Sequence, residues 1–152
     1  MLKKFSVIVL TSILFSGCAH VQMESKEATT KAREFNPPTA GNSGLYIYRP
    51  SSLGASLKKD VWVDGKCIGE TARKVFFYTE VEGNKEHELS TESEFSPNVI
   101  SLFTEADKNY FVRQSIKVGV FVGGAKLEVV PEDEGKAEVK GLGLATPGNC
   151  SK

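Results

Sequence analysis

The sequence predicts a mainly β protein: a small antiparallel β-sandwich of seven to eight short strands with a short C-terminal helix. Three observations carry this. Apolar and polar residues alternate with period two through Tyr110–Val122, the pattern of a strand with one buried face. Asp64-Gly65 stands between the apolar runs Val61-Trp62-Val63 and Cys67-Ile68-Gly69, a hairpin signature in which glycine accepts positive φ. Further runs rich in Val, Ile, Phe and Tyr recur between short turns of Gly, Asn, Asp and Pro, as in sandwiches.

The first seventeen residues stand apart from that domain. Lys3 and Lys4 precede an apolar run, Phe5–Phe15, interrupted only by Ser6, Thr11 and Ser12. Its length of about eleven residues suits a signal peptide, whereas a membrane-spanning helix needs roughly 20. The run closes on Leu14-Phe15-Ser16-Gly17-Cys18. Small residues before the cut admit a peptidase, and the cysteine supplies a thiol for lipid. This stretch resembles the lipobox of bacterial lipoproteins, with Phe15 where Leu is usual. The resemblance implies a signal peptide over 1–17, lipid attachment at Cys18, and a place in the bacterial cell envelope. Ala19 stands where Asp would favour the inner membrane, which points to the outer membrane, facing the periplasm. Membrane contact is expected through this anchor alone.

Without Lys3 and Lys4 the 19 basic residues become 17, against 19 acidic ones, a mature net charge of −2. The basic excess of a nucleic-acid binder is missing. Residues 18–43 then read as the lipidated cysteine and a flexible tether. They are polar, lack a sustained period of 2 or 3.6, and break at Pro37-Pro38 and Gly41-Asn42. A coil of about 25 residues would span roughly 25–30 Å, with at most a weak, frayed helix within Met23–Phe35.

The domain proper is placed at 44–141. Leu45–Arg49 is a strand stopped by Pro50. The Asp64-Gly65 hairpin follows. Lys74–Val81 sets Val75, Phe77 and Val81 on one face and Phe76 and Tyr78 on the other, so both faces look covered. Glu82-Gly83-Asn84 turns the chain into Glu86–Thr91. Val99–Thr104 is apolar, and its Val, Ile, Phe and Thr content favours strand. After the turn Asp107-Lys108-Asn109 comes Tyr110–Val122, with Gln114 the one polar residue on its apolar face. Gly123-Gly124 turns into Lys126–Val130, with Leu127 and Val129 inward. Pro131 ends that strand. Glu132, Asp133 and Glu134 then open a short helix with acids at its positive end. Gly135 weakens this helix, and Gly141 is its expected C-cap. Residues 142–152 form a tail.

The order of the pieces is itself informative. Gly44-Leu45-Tyr46-Ile47-Tyr48-Arg49-Pro50, then Val61 to Gly69, then Asn109-Tyr110-Phe111-Val112-Arg113, then Leu127-Glu128-Val129-Val130 occur in sequence. Together they resemble the bacterial lipoprotein family called domain of unknown function 2846, over roughly Gly44–Lys140. The Val-Asp-Gly hairpin is also similar to PEGA domains, small β-sandwiches of surface proteins. The resemblance implies a fold and a location, and carries no activity.

Candidate chemistry is sparse. The two histidines, His20 and His87, are far apart in the chain, and His87 sits between Glu86 and Glu88. A solvated or hairpin-packing role suits His87 better than a catalytic triad. No Cys or His pair has zinc-ligand spacing. The glycines of Gly119–Gly124 do not open a helix, so no phosphate loop is expected. No catalysis, metal or cofactor is therefore expected. Glu80–Glu94 holds six glutamates against Lys85. That is either a solvated hairpin or an acidic surface for a basic partner, with Glu80, Glu82, Glu86 and Glu88 as the contacts. Tyr46, Tyr48, Trp62 and Phe111 are either a second packing face or partly wet. Two functions follow. One is a structural or binding lipoprotein meeting an envelope protein or peptidoglycan. The alternative is a periplasmic inhibitor of a basic hydrolase such as a lysozyme.

Export and lipidation leave two thiols, Cys67 and Cys150, in an oxidising compartment, and a disulfide between them is expected. It would pin a tail that has little else to hold it. The alternatives are a buried free Cys67, or a Cys150 that joins another molecule.

Overall fold

A computed structural model describes residues 19–95, 98–121 and 123–151. Among them are nine strands and two helices: α1 (Lys26–Ala32), β1 (Asn42–Arg49), β2 (Lys59–Val63), β3 (Lys66–Thr71), β4 (Val75–Glu82), β5 (Lys85–Thr91), β6 (Asn98–Thr104), β7 (Asn109–Lys117), β8 (Gly124–Val130), α2 (Glu132–Val139) and β9 (Gly143–Leu144). They form two sheets, ordered β8-β7-β1-β4-β9 and β3-β2-β5-β6. The predicted mainly β class and two-sheet architecture are observed. Pairing is antiparallel except at β1–β7 and β4–β9, which run parallel. Local reading of turns could not supply those two pairings, because each joins strands distant in sequence.

Alternation places the core. Leu45, Ile47, Val61, Val63, Val75, Phe77, Leu89, Leu102, Val112 and Leu127 are buried between the sheets. The residues alternating with them on the five-stranded sheet, Tyr46, Tyr48, Phe76 and Phe111, are buried on its outer face with Val130, Val139 and Leu142. Both helices lie on that face, so the molecule has three layers. These aromatics are a second packing face, with Phe111 stacked on Tyr46 at 4.9 Å. Trp62, on the uncovered face of the other sheet, is half-buried.

Gln114 is satisfied within the interior. Its Nε2 donates to Thr91 Oγ1 at 2.7 Å, and Thr91 Oγ1 donates to the Asp60 carbonyl at 2.8 Å. Thr71 Oγ1 contacts the Gln114 amide oxygen. A polar chain thus crosses from one sheet to the other, where an unpaired amide would be costly.

The hairpin at Asp64-Gly65 has φ values of 50° and 74°, the left-handed pair a two-residue turn requires. α2 begins after Pro131 and carries Glu132, Asp133 and Glu134 in its first turn, as expected. Its C-cap is Lys140, not Gly141. Gly135 faces the sheet: a Cβ there would lie 2.3 Å from Phe111 Cβ. Its presence in a helix follows from that close approach.

Four further expectations are corrected. β7 stops at Lys117, because its partner β8 begins opposite, at Gly124, and offers no ladder for the residues beyond. Val129 is exposed, while Val130 points under α2. The segment read as a flexible tether is docked along its length. Ser25 caps α1 by accepting from the Ala28 N–H at 3.0 Å. Tyr46 OH donates to the Ala32 carbonyl, and the Phe35 ring packs edge-on against Tyr46 and Phe111. The tail is held by more than a disulfide: Leu142 and Ala145 are buried and β9 pairs with β4.

Candidate functional site

Cys18 and the segment 1–17 lie outside the described residues. The residue after Cys18 is placed: Ala19 N–H donates to the Ala55 carbonyl at 3.0 Å. From there the chain runs beside the tail. Thr146 N–H donates to the Gln22 carbonyl at 2.9 Å, Glu24 N–H donates to the Leu144 carbonyl at 2.9 Å, and Met23 bridges Ala145.

Cys67 and Cys150 form a disulfide with Cα atoms 6.1 Å apart, inside the range such a bond requires. The tail reaches it along β3, with Gly148 N–H on the Ile68 carbonyl. Beyond it, Ser151 N–H and Oγ donate to the Asp60 carboxylate.

The four glutamates do not make one surface. Glu80 and Glu82 alternate with inward residues on β4, while Glu86 and Glu88 do so on β5, in the other sheet. The chain changes sheets at Gly83-Asn84, so the two pairs occupy opposite outer faces. Glu80 is also committed, accepting from Thr39 N–H, Asn42 Nδ2 and Tyr78 OH. Those bonds outweigh its slight burial and hold its carboxyl below the usual value. Glu82 pairs with Lys85 at 2.9 Å, and Glu86 accepts from Ser101 Oγ.

His87 is buried at the hairpin end. Its Nδ1 lies 2.6 Å from Asp64 Oδ2 and its Nε2 lies 2.8 Å from the Glu82 carbonyl. The ring therefore bridges the two turns 64–65 and 82–84 and has no nitrogen left for a substrate. That is the hairpin-packing reading. Among the described residues no three His, Cys, Asp or Glu are grouped to hold a metal ion. A cleft of 340 Å³ lies between α1 and the five-stranded sheet, lined by Ala28, Ala32, Pro37, Tyr46, Tyr78 and Leu144 among others. Both tyrosine hydroxyls there already donate elsewhere, to Ala32 O and Glu80 Oε1. Tyr46 is desolvated and its hydroxyl is pushed up to about 12, which leaves it un-ionised at neutral pH.

The sequence did not reveal the loop cluster at the Ala19 end. The described parts of three connections meet there: 50–58, 92–95, and 118–121 with Gly123. Arg49, fully buried, donates to the carbonyls of Leu57 at 2.7 Å, Leu53 at 3.1 Å and Gly54 at 2.5 Å. Its desolvation lowers the guanidinium from its ordinary value. Glu94 accepts from Val120 N–H and Phe121 N–H. On these braced loops Leu53, Phe95, Val118, Val120 and Phe121 are 56, 80, 89, 78 and 84% exposed. Val118 and Val120 continue the β7 alternation, which is why the sequence assigned them to a buried face.

A family model described as a protein of unknown function, DUF2846, matches residues 39–125. An uncharacterized protein of Haemophilus influenzae (strain ATCC 51907 / DSM 11121 / KW20 / Rd) is 51% identical over 138 residues, covering 91% of this chain and 82% of its own length. No solved structure matches the chain.

Proposed function

The chain belongs to the DUF2846 family of proteins of unknown function, and from that premise we propose that it is an exported lipoprotein cut before Cys18. Lipid on that cysteine holds it in the bacterial cell envelope, at the outer membrane and facing the periplasm. Its domain works by contact, as a binding or structural module for another envelope protein or peptidoglycan. The observation that carries this reading is the agreement between address and fold. Lys3, Lys4, the apolar run and Gly17-Cys18 direct the chain out of the reducing cytosol, and the Cys67–Cys150 disulfide belongs in an oxidising compartment. The engaged ring of His87 supports a module without catalysis. The hydrolase-inhibitor reading draws no support from the geometry, since Glu80 and Glu82 face away from Glu86 and Glu88.

The test is Cys18→Ser in the full chain. The parent should take up a palmitate analogue and fractionate with membranes. The variant should remain unlabelled. Equal labelling of both would refute lipidation at Cys18.

A further inference from the structure

We propose that the loop cluster bearing Leu53, Phe95, Val118, Val120 and Phe121 is a membrane-contacting surface, seated in the headgroup–acyl boundary of the bilayer that holds the Cys18 lipid. Single exposed apolar residues are ordinary, but five on touching loops mark an interaction surface. The loops do touch: a Cβ at Gly123 would lie 2.6 Å from Leu57 Cδ1, and one at Gly124 would lie 3.3 Å from Glu94 N. They are also braced from within by Arg49 and Glu94, so the apolar side chains are held out and not collapsed onto the core.

The N-terminus selects a lipid surface as the occupant. Ala19 is hydrogen-bonded to Ala55 in the same cluster. One peptide bond joins Ala19 to Cys18. An acyl chain on Cys18 therefore leaves the domain at this end and draws these loops to the bilayer with no tether between. The carboxylates of these loops suit that position. Glu92 accepts from Asp60 N–H and Glu94 from Val120 and Phe121 N–H, while Lys117 is exposed at the margin, where anionic headgroups attract it. Side chains such as Phe, Leu and Val enter such an interface to a depth of about 5–10 Å.

This inference rests on the lipidation reading for its choice of bilayer, and the test separates the two. The full chain is matured in cells, purified from membranes, and checked for acyl mass. It is then mixed with phosphatidylethanolamine–phosphatidylglycerol vesicles whose acyl chains carry bromine, a contact quencher of tryptophan. Trp62 is the native background. Phe121→Trp probes the loops, and Phe103→Trp, exposed near the far end of β6, is the matched control. The expected result is that the tryptophan at 121 loses most of its emission while that at 103 keeps its own. Acylated protein with both tryptophans equally unquenched would overturn the membrane contact and leave lipidation standing. Quenching at 121 without acyl mass would uphold the contact and refute lipidation. A position 121 that is shielded in detergent by a second copy or a bound protein, and unquenched in vesicles, would also overturn it.

Discussion

Gly135→Ala sets two opposing effects against each other, and the structure decides between them. In an exposed helix interior the change stabilises by about 1 kcal/mol, because alanine loses less backbone entropy on folding. Gly135 is buried in the middle of α2. The new methyl would lie 2.3 Å from Phe111 Cβ and Cγ and 2.6 Å from Cδ1. Carbon contacts are comfortable at about 3.5–4.0 Å, so the overlap exceeds ~1 Å. The near atoms are the root of the side chain, which cannot swing aside, and the ring is stacked on Tyr46 and met edge-on by Phe35. Relief requires α2 to lift. That loosens the ion pairs from Arg113 to Glu134 at 2.6 Å and to Glu138 at 3.2 Å, together with the Tyr48–Glu138 hydrogen bond. Overpacking of this kind costs about 1–3 kcal/mol. An overlap this large against the fixed root of Phe111 puts the cost at the upper end of that range, about 2–3 kcal/mol. After subtracting the helix gain of about 1 kcal/mol, the variant should be less stable by about 1–2 kcal/mol, or a Tm lower by roughly 2–8 °C for a chain of this size. Urea unfolding and a thermal scan of the full chain measure both. A Tm equal to or above that of the parent would refute the packing argument.

Reducing the Cys67–Cys150 disulfide should cost at most about 4–5 kcal/mol, the chain-entropy value for its separation of 83 residues. The far-UV spectrum should stay native, because β9 and buried Leu142 and Ala145 still dock the tail; protease should cut 147–151 first. Arg49→Met leaves three loop carbonyls without donors, so stability should fall by about 2 kcal/mol. Limited proteolysis should then open 50–58 before any strand. Partial desolvation raises the Asp64 carboxyl, but the His87 ring and the Glu88 N–H hold it lower, below its ordinary value. A group so depressed stabilises above its unfolded pKa, about 3.9, and the contribution is lost as pH falls through the folded value. Urea midpoints should therefore drop below about pH 4, and Asp64→Asn should flatten that drop; an unchanged slope would exclude Asp64 as its source.

What the sequence disclosed was local. Asp64-Gly65 dictates its own turn, and the alternation of Val75, Phe76, Phe77 and Tyr78 announced a strand covered on both faces. The disulfide was legible by counting thiols once export was inferred. What stayed hidden was set by distant partners. Val118 and Val120 keep perfect strand period, yet β8 starts too late to pair with them. Ala28, Ala32 and Phe35 fall at helical spacing, but two of the three are alanines, too small an apolar stripe to stand out from the polar residues around it, so a docked segment read as a tether. The acidic stretch 80–94 was visible as composition. Its division between two faces depended on where the chain changes sheets, which composition does not encode. The loop cluster combined both failures: Leu53, Phe95 and Phe121 lie far apart in sequence and converge only because β1, β5 and β7 end on the same side of the fold.

The zipping of the N-terminal segment onto the tail gives the molecule a particular response to force. A pull on Ala19 loads the short bridge formed by Gln22, Met23 and Glu24 with Leu144, Ala145 and Thr146. From the tail the load passes into β4, through β9 and the Ala145 N–H on the Phe76 carbonyl, and into β3 through the Cys67–Cys150 bond, which bypasses the segment between Glu24 and β1 while the bridge holds. Once the bridge yields, and with it the contacts of Ala32 and Phe35 on Tyr46 and Phe111, α1 and the residues up to β1 can pay out. About 23 residues at ~3.3–3.6 Å each have a contour of roughly 80 Å, the upper bound on the slack released while the two sheets remain intact. Single-molecule pulling should record a first step shorter than that contour at low force, before the rise that unfolds the sandwich. A trace with only one global rupture would show that bridge and sheets fail together. The same chain thus has two working lengths, clamped and paid out, divided by the two backbone hydrogen bonds around Met23 and Ala145 and by the docking of α1 and Phe35.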